Sequence, residues 1–300
     1  CTTAEYIQET FEDATNTGDF NNLVVDSNTG RLYVGAVNKL YQLNERLGQE
    51  KAVTTGPKMD NANCPPEGQE CYCPSNECDD FIRKPTNSIN KALVIDKANA
   101  RIIACFNVFQ GHCEKRDLQD ISQMDPHILK SVVPNDETSS ALLFIGPGVV
   151  KVQTSDNVVS AEVLYVGATR STKGLDLYRD LVPAISSRNL LSFNIAYNTI
   201  THSGTKKEIE HSLRDTFRAH YVAGFSTDNF SYFLAVQPNN TNANGATRHV
   251  TRIVRVCQRD KDYVSYAEVP LECTHMGAKY DILRAAVIAH PGADLAISLG

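Results

Sequence analysis

The stretch Leu23-Val-Val-Asp-Ser-Asn-Thr-Gly-Arg-Leu-Tyr-Val-Gly35 reads as a strand, a turn on Asn28-Thr29-Gly30 and a second strand. β-Branched and aromatic residues fill the flanks, and Asn and Gly supply the dihedrals that a tight turn needs. The layout returns in Leu93-Val-Ile-Asp-Lys-Ala-Asn-Ala-Arg-Ile-Ile-Ala-Cys105. Glu162-Val-Leu-Tyr-Val-Gly167 echoes Arg31-Leu-Tyr-Val-Gly35, and His220–Val236 is again strand, turn, strand. A fifth unit opens at Tyr280-Asp-Ile-Leu-Arg-Ala-Ala-Val-Ile-Ala289. From Val24 to Leu283 the opening strands recur roughly every 65 residues. Units of about four strands, each too thin to bury its own faces, predict an all-β chain built as a β-propeller. The alternative is a β-sandwich with long loops.

A seven-bladed ring at this spacing needs on the order of 450 residues. The 300 present are therefore expected to cover about the first four blades and the start of the fifth. Residues 21–300 form the partial propeller in this reading, and 1–20 are an N-terminal segment placed to pair with the last blade. A ring segment alone leaves open strand edges.

Composition narrows the class. At 42% apolar residues the chain can bury a full core, and its net charge of −6 argues against a nucleic-acid surface. No run of about 18 apolar residues occurs, so no membrane insertion by this segment is expected. A basic-then-apolar leader does not open the chain, as expected of a processed secreted protein.

The cysteines set the compartment. Cys64, Cys71, Cys73, Cys78, Cys105 and Cys113 lie at close spacing, the usage of an oxidising environment. Cys105 and Cys113 flank Gln110-Gly111, a turn that brings them within disulfide reach. Four cysteines over 64–78 also suit zinc, but close thiols outside the cell oxidise, and two disulfides with no metal are expected. A Cys71–Cys73 bond is disfavoured because residues two apart on a strand point the same way. Nine cysteines is an odd number, and Cys1, Cys257 and Cys273 have no near neighbours, which points to partners outside these residues. Asn229-Phe-Ser231 and Asn239-Asn-Thr241 are glycosylation sequons consistent with secretion.

Taken in order, Gly56-Pro57, Cys64-Pro-Pro, Pro85-Thr-Asn, Asn90-Lys, Ala104-Cys105 and Gln110-Gly-His-Cys113 resemble the opening of the plexin sema domain. The resemblance continues through Ile185-Ser-Ser-Arg188, Tyr232-Phe-Leu-Ala-Val-Gln-Pro238, Arg252-Ile-Val-Arg-Val-Cys257 and Ser265–Cys273. It implies a seven-bladed sema propeller on the extracellular side of the plasma membrane, the ectodomain of a single-pass receptor that binds semaphorins, with a co-receptor as a further partner. The receptor group of the hepatocyte growth factor receptor is also similar. Its basic cleavage run after the position of Cys273 has no counterpart in Thr274-His-Met-Gly-Ala-Lys-Tyr280. Within the cysteine cluster, family spacing from Cys64 selects Cys73, while counting back from Pro85 selects Cys78. The favoured pairing is Cys64–Cys73 with Cys71–Cys78, among three that four cysteines allow. The plexin pattern also implies that Cys257 and Cys273 bond to cysteines after Gly300, carried apart by a strand through Tyr263–Pro270.

No catalytic reading emerges. The chain holds no Gly-x-Ser-x-Gly elbow, phosphate loop or His-Glu-x-x-His motif. A secreted propeller enzyme would place Asp, Glu or His at recurring inner-strand positions, where Gly35, Cys105, Gly167 and Phe233 stand instead. We therefore expect no enzyme and no cofactor. The longest departure from the strand rhythm, Arg170–Arg218, is the candidate contact surface, since function in such folds lives in loops. Within it Lys173, Tyr178, Arg179, Tyr197, His202 and Lys206 are the candidate ligand-binding residues, as types suited to interfaces or charge steering. Ile209, Leu213 and Phe217 at spacing four predict a short amphipathic helix over 206–215.

Overall fold

The computed structural model describes residues 9–16, 18–66, 69–73, 78–153, 155–200, 204–239 and 248–288. They form successive antiparallel sheets. Strands β1 (Phe20–Val25), β2 (Leu32–Ala36), β3 (Lys39–Leu43) and β4 (Gln49–Thr54) pair in chain order. A two-stranded sheet of β5 (Lys58–Asp60) and β6 (Lys84–Thr86) follows, then a three-stranded meander of β7 (Asn90–Asp96), β8 (Arg101–Phe106) and β9 (Cys113–Asp117). The third large sheet is β10 (Ala141–Lys151), β11 (Val158–Ala168), β12 (Ile185–Asn189) and β13 (Lys206–Lys207). The fourth is β14 (His220–Thr227), β15 (Phe230–Asn239), β16 (Arg248–Cys257) and β17 (Ala267–Pro270), with a small hairpin of β18 (Thr274–His275) and β19 (Ala278–Lys279) after it. The strand–turn–strand units quoted above are β1–β2, β7–β8 and β14–β15, with Leu23 opposite Val34 and Leu93 opposite Ala104.

Each large sheet hands its apolar faces to the sheets before and after it. Along a strand, neighbouring side chains point to opposite faces, and the second strands are apolar on both. Ile102 and Ala104 pack with Tyr33 and Leu40 of the first sheet. Ile103 and Cys105 turn the other way, onto Leu143, Leu164 and Val166 of the third. Val163 and Tyr165, alternating with Leu164, pack with Tyr221, Phe233 and Val254 of the fourth. The first strands are neighbours in the same order, β1 on β7, β7 on β10 and β10 on β14. Two of the inner-strand glycines are small because of that stacking. A Cβ on Gly35 would lie 2.2 Å from the Asn90 side chain, and one on Gly167 would lie 2.6 Å from the Tyr221 ring.

The cysteine-rich excursion lies between β5 and β6. Cys64 bonds to Cys71 and Cys73 to Cys78, with Cα separations of 4.8 and 5.5 Å. This corrects the favoured crossing pairs. Neither Cys71 nor Cys73 lies in a strand, so Cys73 is free to close the five-residue loop to Cys78 in place of the nine-residue one to Cys64, while Cys71, seven positions from either, takes Cys64. Cys105 and Cys113 are bonded directly opposite each other on β8 and β9, Cα to Cα 4.0 Å. Between them Phe109, Gln110 and Gly111 all take positive φ, 53°, 62° and 78°. That turn aims Gln110 at the excursion. Its Nε2 donates to the carbonyls of Ala62 at 2.8 Å and Cys64 at 2.6 Å, and its Oε1 accepts from Asn135 at 2.6 Å.

Three further expectations change. Residues 206–215 form no amphipathic helix: Lys206 and Lys207 pair with Ser186 and Ile185, which leaves room only for a single turn at His211–Leu213. Strand pairing outcompetes a helix too short to stabilise itself. The strand expected from Tyr263 begins at Ala267, because Tyr263 is buried at φ 51° in the preceding turn. Residues 280–288 are not a strand, since no described residue supplies a ladder, although Leu283 N–H donates to Thr251 Oγ1 at 2.8 Å. Residues 289–300 and Cys1 lie outside the described residues.

Gly111 is the least replaceable residue of the turn. A Cβ there would meet the Val133 carbonyl oxygen at 1.6 Å, at a φ that L-residues resist. Gly111→Ala is expected to destabilise the protein by about 3 kcal/mol or more and to lower its secretion. A thermal midpoint within a degree of the parent's would contradict this.

Candidate functional site

The segment between β11 and β13 is anchored from below by one carboxylate. Asp136 is 1% exposed and accepts from Ser139 N–H and Oγ at 2.6 Å each, Thr138 N–H at 2.9 Å, Thr172 N–H at 2.6 Å and Ser171 Oγ at 3.0 Å. Burial alone would raise its pKa; the donors from Ser139, Thr172 and Ser171 outweigh this and hold it well below the usual carboxylate range. The Arg170-Ser171-Thr172 bend is thereby tied to the β9–β10 connection. Arg218 adds a second tie, donating to the Arg170 carbonyl at 2.6 Å and to Ser139 Oγ at 2.9 Å.

Above this anchor the loop is organised by arginines lying beneath carboxylates. Arg170 pairs with Asp176 at 2.7 Å, Asp180 at 2.8 Å and Asp215 at 2.5 Å. Arg179 pairs with Asp176 at 2.9 Å and also with Asp215, while Arg214 pairs with Asp180 at 2.8 Å. The side chain of Arg170 is 10% exposed and those of Asp176 and Asp215 are 75% and 69% exposed. Burial works against Arg170's charge, yet the bonds to Asp176 and Asp180 carry its pKa above the ordinary value. Exposed pairs of this kind add little stability singly. Here they fix geometry, joining the helical turn Asp176–Arg179 to the single turn before β14. A narrow cleft between Arg170, Asp180, Pro183, Glu208, Ile209 and Arg214 opens beside them. It presents both signs of charge over an apolar floor, suited to seating a partner's side chain.

The predicted residues divide. Lys173 is half-exposed and pairs with Glu137 at 2.6 Å. Tyr178 and Arg179 sit on the helical turn, half-buried. Lys206 pairs with Glu208, which borders the same cleft. Arg179 and the Lys206 partner Glu208 border one cleft, while Lys173 borders a second, lined also by Asp60, Asn135 and Glu137. Tyr197 borders neither: it is 1% exposed, with its ring under Lys261 and its hydroxyl accepting from Lys261 Nζ at 3.1 Å. It is a core residue, a correction to its reading as a contact. His202 lies outside the described residues. Sequence reading missed Arg170, Asp136, Asp180, Arg214 and Asp215: the ion pairs of Arg170 span 6 to 45 positions, and Asp136 ties its local partners Thr138 and Ser139 to Ser171 and Thr172 some 35 positions on.

Nothing in this arrangement positions a nucleophile beside a base. Among the described residues no group of three or more His, Cys, Asp and Glu side chains is placed to hold a metal ion. Asn229 is exposed on the β14–β15 turn, accessible to a glycan, and Asn239 ends β15, while Thr241 of its sequon is outside the described residues. Cys257 and Cys273 are not bonded to each other. No helix among the described residues is long and apolar enough to cross a membrane.

No family model matches the chain. It is similar to Plexin-A4 of Homo sapiens, 32% identical over 297 residues that take in 94% of this chain and 15% of that protein. The chain thus spans about 15% of the length of the curated relatives it matches. Among solved structures it is similar to the full extracellular region of Plexin A4, at 30% identity and a TM-score of 0.69, over 89% of this chain and 28% of that one. Drosophila Semaphorin 2a shares the fold, with a TM-score of 0.54 at 11% identity over 87% of this chain and 42% of that one.

Asp136→Ala strands several buried donors and should destabilise the protein by about 2–4 kcal/mol at neutral pH. The carboxylate's pKa is depressed on folding, so its contribution is complete above the unfolded value near about 4 and is lost as pH falls toward the folded value. The variant should therefore show a smaller loss of midpoint than the parent between about pH 5 and 2. Parallel midpoint curves for the two would refute this role.

Proposed function

The chain is a homologue of the plexins, and from that premise we propose that it is the N-terminal part of the sema domain of a plexin-type receptor, a semaphorin-recognition module on the extracellular side of the plasma membrane. The four large sheets, stacked in chain order through shared apolar cores, are read as its first four blades of seven, and the residues after β17 as the approach to the fifth. The observation that carries the reading is the extent of the homology, over nearly the whole chain, to a plexin extracellular region of matching fold.

Ring closure is part of the proposal. The outer face of the first sheet carries Phe20, Leu23, Leu32 and Leu47 around an open apolar cleft, with Phe11 edge-to-face against Tyr41. The last blade would cover it, with residues 1–20 lying along the junction. Cys257 and Cys273 would bond to cysteines beyond Gly300, and Asn229 and Asn239 would carry glycans. A co-receptor would complete the assembly.

The semaphorin-facing surface in this reading is the Arg170–Arg218 loop, with Lys173, Tyr178, Arg179 and Lys206 in contact and the arginine–aspartate lattice holding them in place. Rigid, prepaid geometry of this kind lowers the cost of binding. Lys173→Glu is expected to weaken binding to a semaphorin ectodomain about thirtyfold, as loss of an interface anchor of about 2 kcal/mol would, with the thermal midpoint nearly fixed. Surface plasmon resonance against a panel of semaphorin ectodomains reads the effect. Unchanged affinity for every member that binds the parent would move the contact surface elsewhere on the ring. Tyr197→Asp, by contrast, should unfold the protein.

A further inference from the structure

Arg188 closes the Ile185-Ser-Ser-Arg188 stretch on β12 and is 3% exposed. Its Nη1 donates to the Phe193 carbonyl at 3.0 Å, but its Nε and Nη2 have no hydrogen-bond partner among the described residues. Burial lowers its pKa, to about 10, and it forms no ion pair with a carboxylate among the described residues. A buried cation without a counterion is costly, and structures meet that cost by pairing. Arg188 also lines an open cleft of about 610 Å3, together with Lys130, Lys151, Ser131 and Asn194. No Asp or Glu is among the described residues lining it. Lys151 has one acidic partner, Asp156 at 2.8 Å, whose side chain is 77% exposed and so weakly held.

We propose that this cleft is a binding site for a single oxyanion, a sulfate or a carboxylate, held by the Arg188 guanidinium and flanked by Lys130 and Lys151. The guanidinium offers Nε–H and Nη2–H as a planar fork, which matches two oxygens of one anion. Both nitrogens are closed off from water, so the Asn189–Asn194 turn, which carries the buried Phe193 and is held by Asn189 and by Arg188 Nη1, must shift when the anion enters. The cleft lies partly within the same Arg170–Arg218 segment but shares no lining residue with the cleft at Arg170, Asp180 and Arg214, and it does not depend on the proposed semaphorin binding.

The test uses the purified, disulfide-intact protein, titrated with sodium sulfate and separately with sodium acetate, against sodium chloride at matched ionic strength. Sulfate or acetate should raise the thermal midpoint saturably where chloride does not, and calorimetric titration should give one site. Saturation by sulfate identifies the natural anion as a sulfate group, saturation by acetate as a carboxylate. Arg188→Gln is a core substitution and can misfold, so the surface variant Lys130→Gln/Lys151→Gln carries the decision. It should keep the fold and weaken the anion's apparent affinity by about tenfold. The proposal is overturned if chloride matches both anions, or if the double variant binds as the parent does.

Discussion

The close face-to-face stacking of consecutive sheets is the constraint on which the rest depends. None of the large sheets has a polar face to spare along its second strand: Ile102 and Ile103, or Val163 and Leu164, point to opposite sides and both sides are buried. A sheet of this kind has no stable existence alone. Its neighbours must approach closely enough to exclude water, and the sequence makes room with glycine at Gly35 and Gly167, where a side chain would strike the next sheet. Loops are thereby driven outward to the rims, where they are available for recognition.

Much of this was legible in the residues because it is local. Strand–turn–strand units are written in alternating β-branched residues and in turn residues such as Asn28 and Gly30, and they were located to within a few positions. The Cys105–Cys113 bond was legible for the same reason, as a hairpin fixes both ends. Pairing within Cys64–Cys78 was not, because it depends on whether Cys71 and Cys73 lie in a strand, and nothing local decides that. The missing helix at 206–215 shows spacing-four apolar residues losing to Lys206 and Lys207 joining the edge of β12.

The candidate surface was legible as a segment and less so by residue. Tyr197 has the composition of an interface anchor, but a buried tyrosine satisfied by Lys261 has the same one-letter identity as an exposed one. The arginines and aspartates that shape the loop are distributed over 170, 176, 180, 214 and 215, and only folding brings them together. Long-range ion pairs carry no periodic signature, so nothing local marks these side chains as partners.

The two bonds of the excursion between β5 and β6 have a consequence for how this protein can vary. Both begin and end inside the excursion, joining residues seven and five positions apart, and no disulfide runs from it to a sheet. Among the described residues its hydrogen bonds to the body are those of Gln110 to Ala62 and Cys64, while Asn61, donating to the Asp80 and Ile82 carbonyls, closes its own base. The excursion is thus a self-cross-linked cassette. Residues between its cysteines can be lengthened, shortened or exchanged with little penalty to the sheets, because the entropy of a longer surface loop grows only slowly. Among proteins built on this frame, that position is free to diversify while the stacked sheets beneath it stay put.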